Sequence, residues 1–365
     1  MTYEEASKHC IFMFVSGSHA YGTNVPGSDH DRRGVFIAPI QKAFELFQTR
    51  FVGQGSIEAN LKAAIKSIDA SQPAAAKEQI RAALETDQGD LSMSVGTVAR
   101  ADHDEELQEL RKFLKLAADC NPNIIEFLYV DRLVEVSTPE WEEIRRNRHM
   151  FLSKKARFTF SGYAIAQLKR IKTHRGYLLN PPAKKPDRRD YGLPLDSMIS
   201  RQHRNALLSL PSDMVAQGMK DEVAKERAYE DAMTTWQAYQ DWEKERNPAR
   251  KAMETKYGYD VKHAMHLVRL IRMAKEILAE GVVRVHRPDK DELLDIRNGK
   301  WPFEKILDVA DNADHELGEL YEKSTLRDKP DHKGISDLYS SICGHKGISD
   351  LYSSICGSNY GVNLS

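Results

Sequence analysis

The sequence predicts an α+β protein, a small sheet followed by a helical region. Two short apolar runs near the N-terminus, Ile11–Val15 and Val35–Ala38, are bounded by Gly, Pro, Asn and Ser and read as buried strands joined by a turn-rich connection. Beyond them, apolar residues recur at helical spacing over most of the remaining length. A chain of 365 residues has room for two domains or one large one.

Between the two strands lies Gly17-Ser-His-Ala-Tyr-Gly22, followed by Ser28-Asp-His-Asp-Arg-Arg-Gly34. Gly17-Ser18 closes the first strand, where a residue without a Cβ lets backbone N–H groups approach a phosphate. Asp29 and Asp31 stand at the mouth of the second strand, two apart and so on one face. A hard divalent cation relieves the repulsion of such a pair. Either half alone is common in turns and loops. Joined, with ten residues between Ser18 and Asp29, they describe a site for a metal–nucleotide complex.

Residues 48–101 read as a helical insertion, with Ile57, Leu61, Ala64, Ile65 and Ile68 at helical spacing and Ala76, Ile80, Ala83 and Leu84 beyond Pro73. From Asp104 the pattern reads as amphipathic, with Leu107, Leu110, Phe113, Leu114 and Ala117 on one face and Asn121-Pro122 as the break. Asp104 has two readings, a third carboxylate for the metal site or an N-cap for this helix, with Glu106 as the fallback carboxylate.

Between Arg145 and Arg189 fourteen Lys and Arg residues meet Asp187 alone, with Tyr163 and Tyr177 interleaved. Such a run suits a triphosphate or a nucleic acid backbone, or else forms a charged face balanced by acids elsewhere. Lys169 and His174 lie in this run. Residues 183–212 read as a long connection, and residues 214–251 as a charged helical region. Gly258 then breaks the helix and Asp260 caps the next, whose Ala264, Leu267, Val268 and Ile271 point inward. Lys262, His266 and Arg269 form a polar row that faces a nucleotide on this reading. His263 and His266 lack a third ligand of convincing spacing, which favours packed or hydrogen-bonded histidines over a metal site.

The tail repeats itself: His332–Gly344 recurs as His345–Gly357, thirteen residues each. Two short copies do not make a solenoid, and the second copy is expected to be dispensable and poorly ordered. Net charge is −1 and hydrophobic content 41%, as in ordinary globular proteins. No apolar run is long enough to span a bilayer. The acidic start, Met1-Thr-Tyr-Glu-Glu5, is unlike a signal peptide, and Cys10, Cys120, Cys343 and Cys356 form no Cys-x-x-Cys pair. These features lead to the expectation of a cytoplasmic protein without a membrane partner.

Gly-Ser, ten residues and Asp-x-Asp together resemble the signature of the DNA polymerase beta superfamily of nucleotidyltransferases. The longer string from Gly17 to Gly34 is similar to nucleotidyltransferases of the YcgL type, some of which are linked to RNA repair. Two further blocks share the likeness, Glu109–Leu128 and Phe160–Pro181 joined with Lys256–Arg272.

The resemblance implies a small mixed sheet in a catalytic domain over residues 1–150, a helical domain over 151–325 that closes a cleft, and a tail over 326–365. It implies that Asp29 and Asp31 hold two Mg²⁺ ions, with Mn²⁺ as the alternative, and that Asp104 completes the site. Gly17, Ser18 and Arg33 would then serve the phosphates, with Lys169, His174, Lys262, His266 and Arg269 as further nucleotide contacts. The implied reaction moves NMP from an NTP to an acceptor hydroxyl, with RNA as the favoured acceptor. Protein or small-molecule hydroxyls, or an inactive nucleotide or RNA sensor, are the alternatives.

Overall fold

The computed structural model describes residues 1–39, 97–100, 104–196, 200–210 and 214–356. The expected helices between residues 48 and 96 lie outside the described residues. The described part of the chain divides into two compact units. The first comprises Met1–Ile165, Met265–Ile296 and Lys300–Ser365, and the second Ala166–Ala264 with Arg297–Gly299.

The first unit is built on a five-stranded mixed sheet of order β3-β4-β2-β1-β5. Its strands are β1 (Cys10–Val15), β2 (Arg32–Phe36), β3 (Thr97–Arg100), β4 (Glu105–Glu109) and β5 (Val134–Ser137). β1 runs antiparallel to β2 and to β5, β2 is parallel to β4, and β3 is antiparallel to β4. The α+β expectation therefore holds, with a mixed sheet and helices making up most of the rest.

Alternation along β1 sends Phe12 and Phe14 to one face and Met13 to the other. On the first face Phe12 stacks on Trp141 at 4.1 Å and Phe14 meets the edge of Phe127 at 4.8 Å, with Phe113 alongside. Helix α1 (Tyr3–Ser7) belongs to the opposite face, where Ala6, Met13, Phe36 and Leu107 form a second cluster. Gly34 sits between strands where no side chain fits: a Cβ there would lie 2.3 Å from the carbonyl oxygen of Phe12 and 2.9 Å from Leu107 Cδ2.

Four expectations are corrected in this unit. The connection after β1 opens with a short helix, α2 (Gly17–Tyr21), rather than a turn. β2 starts at Arg32, so Asp29 and Asp31 precede it. Glu105–Glu109 is a strand, not the start of an amphipathic helix, and helix α3 (Leu110–Ala118) begins after it with Glu109 accepting from Arg111 and Lys112 N–H groups as its cap. Pairing on both sides outweighs the low strand propensity of Glu and Gln, and Arg32 neutralises Glu105 across the ladder. Residues 97–100, placed with the insertion by periodicity, are the edge strand β3.

Downstream come α4 (Pro122–Ile125), α5 (Pro139–Arg146) and α6 (Ala156–Leu179). The second unit takes the later part of α6, then α7 (Arg201–Ser209), α8 (Gln217–Glu245) and α9 (Pro248–Tyr257). The supposed connection at 183–212 thus carries a helix, together with a single turn at Arg188–Tyr191. Tyr177, Tyr239 and Trp242 pack together, and buried Glu226 is shared by Arg188 and Arg204.

Helix α10 (Val261–Glu280) is capped as expected, Asp260 Oδ1 accepting from the His263 N–H at 2.9 Å. Its Leu267, Val268 and Ile271 are buried, and its residues from Met265 on belong to the first unit. Helices α11 (Lys290–Arg297), α12 (Phe303–Lys323) and α13 (His332–Cys356) follow.

The first copy of the repeat is not a loose tail. Ile335, Leu338 and Ile342 are buried, and the Asp331 N–H donates to the Met150 carbonyl at 2.9 Å. Helix α13 continues through the second copy to Cys356, whose side chains lie outside the described residues.

Candidate active site

The Gly-Ser and Asp-x-Asp segments meet at the end of the β1–β2 ladder. Ser16, the last residue before α2, donates both its N–H (2.7 Å) and its hydroxyl (3.0 Å) to the carbonyl of Asp31. These two hydrogen bonds from one residue fix the Asp31 backbone against the start of α2. Gly17 has φ +67°, and a Cβ on it would stand 2.8 Å from Asp31 Oδ2. The Asp31 carboxylate therefore lies directly beside the Gly17 backbone, in space that only glycine leaves open.

Gly17→Ala should consequently strain the backbone and push the Asp31 carboxylate aside. The expected result is a loss of about 1–3 kcal/mol in urea unfolding and a fall of roughly 100-fold in catalytic rate, the cost of a misplaced reacting group. A Gly17→Ala protein with unchanged turnover would show that this approach does not matter.

The loop between α2 and β2 is tied by its own contacts. Ser28 and Val25 close a turn, with the Val25 N–H donating to Ser28 Oγ at 2.9 Å and the Ser28 N–H to the Val25 carbonyl at 2.9 Å. The His19 and His30 rings stack at 4.0 Å. Asp29 and His30 are exposed, while Asp31 is half-buried.

The parallel register supplies the acidic neighbours. Arg32 pairs with Glu105 and Arg33 with Glu106, and the Arg32 N–H donates to the Asp104 carbonyl at 2.8 Å. Asp31 and Asp104 are thus the residues just ahead of the first pair of this ladder. Alternation within the strands puts Arg33 and Glu106 toward one face and the Arg32–Glu105 ion pair on the other. Asp104 is exposed, whereas Glu106 is half-buried and accepts from the Gln108 amide. The helix-cap alternative for Asp104 falls away, since Glu109 caps α3.

Beneath α2 sits a buried group that pattern reading missed. The Tyr21 hydroxyl lies 2.8 and 3.0 Å from the two oxygens of Glu126, whose side chain is 2% exposed. The Arg269 guanidinium stacks on the Tyr21 ring at 3.9 Å and approaches Glu126 at 3.9 Å. Burial raises the Glu126 carboxyl above the ordinary range, opposed by the charge of Arg269, the Tyr21 hydrogen bond and Arg33. Burial likewise raises the Tyr21 phenol. Arg269, expected to face a nucleotide, is thus buried against α2, and Arg33 lies near enough for its charge to act on both Tyr21 and Glu126.

The other expected nucleotide contacts are placed differently. His266 is half-buried on α10 in the first unit. Lys169, His174 and Lys262 belong to the second unit, with Lys169 exposed and His174 turned to Glu254 at 3.5 Å. Much of the basic run is already neutralised. Lys154 pairs with Asp328, Lys155 with Asp119, Arg157 with Asp314, Lys184 with Asp190 and Arg188 with Glu226. Arg170 and Lys172 on α6 remain exposed. Among the described residues no helix is long and apolar enough to cross a membrane.

A small mixed sheet with Gly-Ser after its first strand and Asp-x-Asp ahead of the second supports a nucleotidyltransferase of the polymerase beta type. In agreement, residues 2–69 match the family model of the RNA repair pathway DNA polymerase beta family, RlaP. The match takes in Gly17, Ser18, Asp29 and Asp31 and stops short of Asp104. Searches of curated proteins and of solved structures gave no match.

Proposed function

We propose that the chain transfers NMP from an NTP to a hydroxyl at an RNA end, with release of pyrophosphate. The observation that carries this reading is the Asp31 carboxylate beside the Gly17 backbone, with the Asp104 carbonyl accepting from the N–H of Arg32, the residue after Asp31. The donor set is all carboxylate oxygen on hard, partly exposed groups, which suits Mg²⁺ or Mn²⁺, and Gly17 brings no Cβ against Asp31 Oδ2. Asp29, Asp31 and Asp104 would hold the ions. When bound, the metal supplies charge neutralisation for the triphosphate and lowers the pKa of the attacking hydroxyl.

The protein's own contribution is positioning. Gly17 and Ser18 offer backbone N–H groups to the β- and γ-phosphates, with Arg33, at the start of β2, adding positive charge. Asp104 is assigned to orient the acceptor hydroxyl and take its proton. The hydroxyl oxygen then bonds to the α-phosphorus as the bond from that phosphorus to the bridging oxygen of pyrophosphate breaks. Pyrophosphate departs with the bonding electron pair, and the proton passes from Asp104 to solvent.

The test is to incubate the protein with each α-labelled NTP, Mg²⁺ and a panel of RNAs with different 3′ ends. Label should appear on RNA in equal amount to the pyrophosphate released. Label on the protein itself or on a small molecule, with RNA unlabelled, would replace the acceptor. Nucleotide binding without pyrophosphate release from any NTP would overturn the enzymatic reading in favour of a sensor.

A further inference from the structure

The second unit contains a buried cluster that the nucleotidyl transfer does not use. His174 on α6, Glu254 on α9 and Asp260 at the start of α10 each offer a donor atom, and these atoms lie within 4.8 Å of one another. His263, one turn into α10, brings Nε2 to 3.5 Å from Asp260 Oδ2. The carboxylates of Glu254 and Asp260 are each 1% exposed.

The hydrogen bonds around the cluster aim lone pairs at one another. The Nδ1 of His263 lies 2.8 Å from Gln167 Oε1, an acceptor, so Nδ1 carries the proton and Nε2 a lone pair. Asp260 uses Oδ1 to cap α10, which turns Oδ2 toward that lone pair. Neither His263 Nε2 nor Asp260 Oδ2 has a hydrogen-bond partner. The same holds for His174 Nδ1 and for Glu254 Oε1, which face each other at 3.5 Å. Buried polar atoms left unpaired are costly, and four in one place ask for a common partner.

Arg246 reaches Glu254 Oε2 at 2.9 Å, and Arg250 stands 4.0 Å from Asp260 Oδ2. Both cations leave the two imidazole nitrogens unsatisfied.

We infer that His174, Glu254, Asp260 and His263 form a binding site for a divalent transition-metal ion of the zinc type, separate from the proposed catalytic metals. Two imidazoles and two carboxylates are a zinc-like donor set rather than one for Mg²⁺. Metal–ligand bonds of about 2.0–2.1 Å place tetrahedral ligands about 3.3 Å apart, close to the 3.5 Å found for both His–carboxylate pairs. The Gln167–His263 bond is the outer contact that fixes a ligating imidazole. Bound there, the ion would staple α6, α9 and the entry to α10 together. In sequence the site is hidden, because His174 lies far from the other three and spacing along the chain pairs His263 with His266.

Titration of the chelator-treated full chain with Co²⁺ tests this. One equivalent should bind with the strong visible ligand-field absorption of a four-coordinate centre, Zn²⁺ should displace it, and the thermal midpoint should rise. The bands should persist in Asp31→Asn, which separates this site from the proposed catalytic one. They should vanish in His174→Ala and His263→Ala, and Gln167→Leu should weaken Co²⁺ binding about 10- to 100-fold. Gln167→Leu removes no ligand and so guards against a His variant that merely fails to fold. Absence of such bands in the wild-type chain would mean an ion-pair network complete without metal, and would overturn the site. Bands lost in Asp31→Asn but kept in the histidine variants would do the same.

Discussion

Asp31→Asn is expected to lower single-turnover pyrophosphate release by roughly a thousand-fold or more at saturating NTP and Mg²⁺, the scale on which lost charge stabilisation at a phosphoryl centre is felt. Asparagine keeps the shape of the side chain, and the backbone carbonyl of Asp31 still accepts both bonds from Ser16. Unfolding should therefore change little while catalysis collapses, and Asp29→Asn should behave alike. The carboxylates just before and within β4 then become distinguishable. Asp104→Asn should cost as much as Asp31→Asn, because Asp104 is exposed just ahead of the ladder's first pair, its carbonyl held by the Arg32 N–H. Glu106→Gln should leave most of the rate, since Glu106 is half-buried and engaged by Gln108. Wild-type turnover in Asp31→Asn would remove the catalytic assignment. A large loss in Glu106→Gln with none in Asp104→Asn would move the third carboxylate two residues along the strand.

β1 was legible because it is an apolar run closed off by turn residues, and β2 only at its apolar end, Val35-Phe36. β4 was not. Leu107, Leu110 and Leu114 are spaced as in a helix, and the strand ends only where Glu109 turns the chain into α3. What makes Glu105–Glu109 a strand is its partners, β2 on one side and β3 on the other, with Arg32 and Thr97 meeting the polar side chains. None of that is local. Likewise Asp29 and Asp31 were visible as a motif, while the neighbour that makes Asp31 special, the bare Cα of Gly17, shows only in three dimensions. The basic run was misleading in the opposite way. Its charges looked free because their acidic partners, such as Asp314 and Asp328, lie far along the chain.

The group formed by Tyr21, Glu126 and Arg269 is the clearest case of information absent from local pattern, for Tyr21 and Glu126 are 105 positions apart. It also leads to the second large effect. Arg269→Met should destabilise the protein by about 3–5 kcal/mol, because it leaves a fully buried carboxylate whose charge has lost its only nearby α10 cation. Glu126→Leu should cost a similar amount by stranding Arg269, which among the described residues also meets the Tyr21 ring and Met273 Sδ. The double variant should recover part of the loss, since removing both charges abolishes the desolvation penalty that each single variant exposes. Urea unfolding of the three proteins measures this, and additive losses would show that the two charges do not act as a pair. Tyr21 ends the same short helix that Gly17 begins, so the group also anchors the proposed phosphate cradle from below. The folded fraction of either single variant should therefore turn over more slowly than wild type, and a normal rate in that fraction would confine the group to stability.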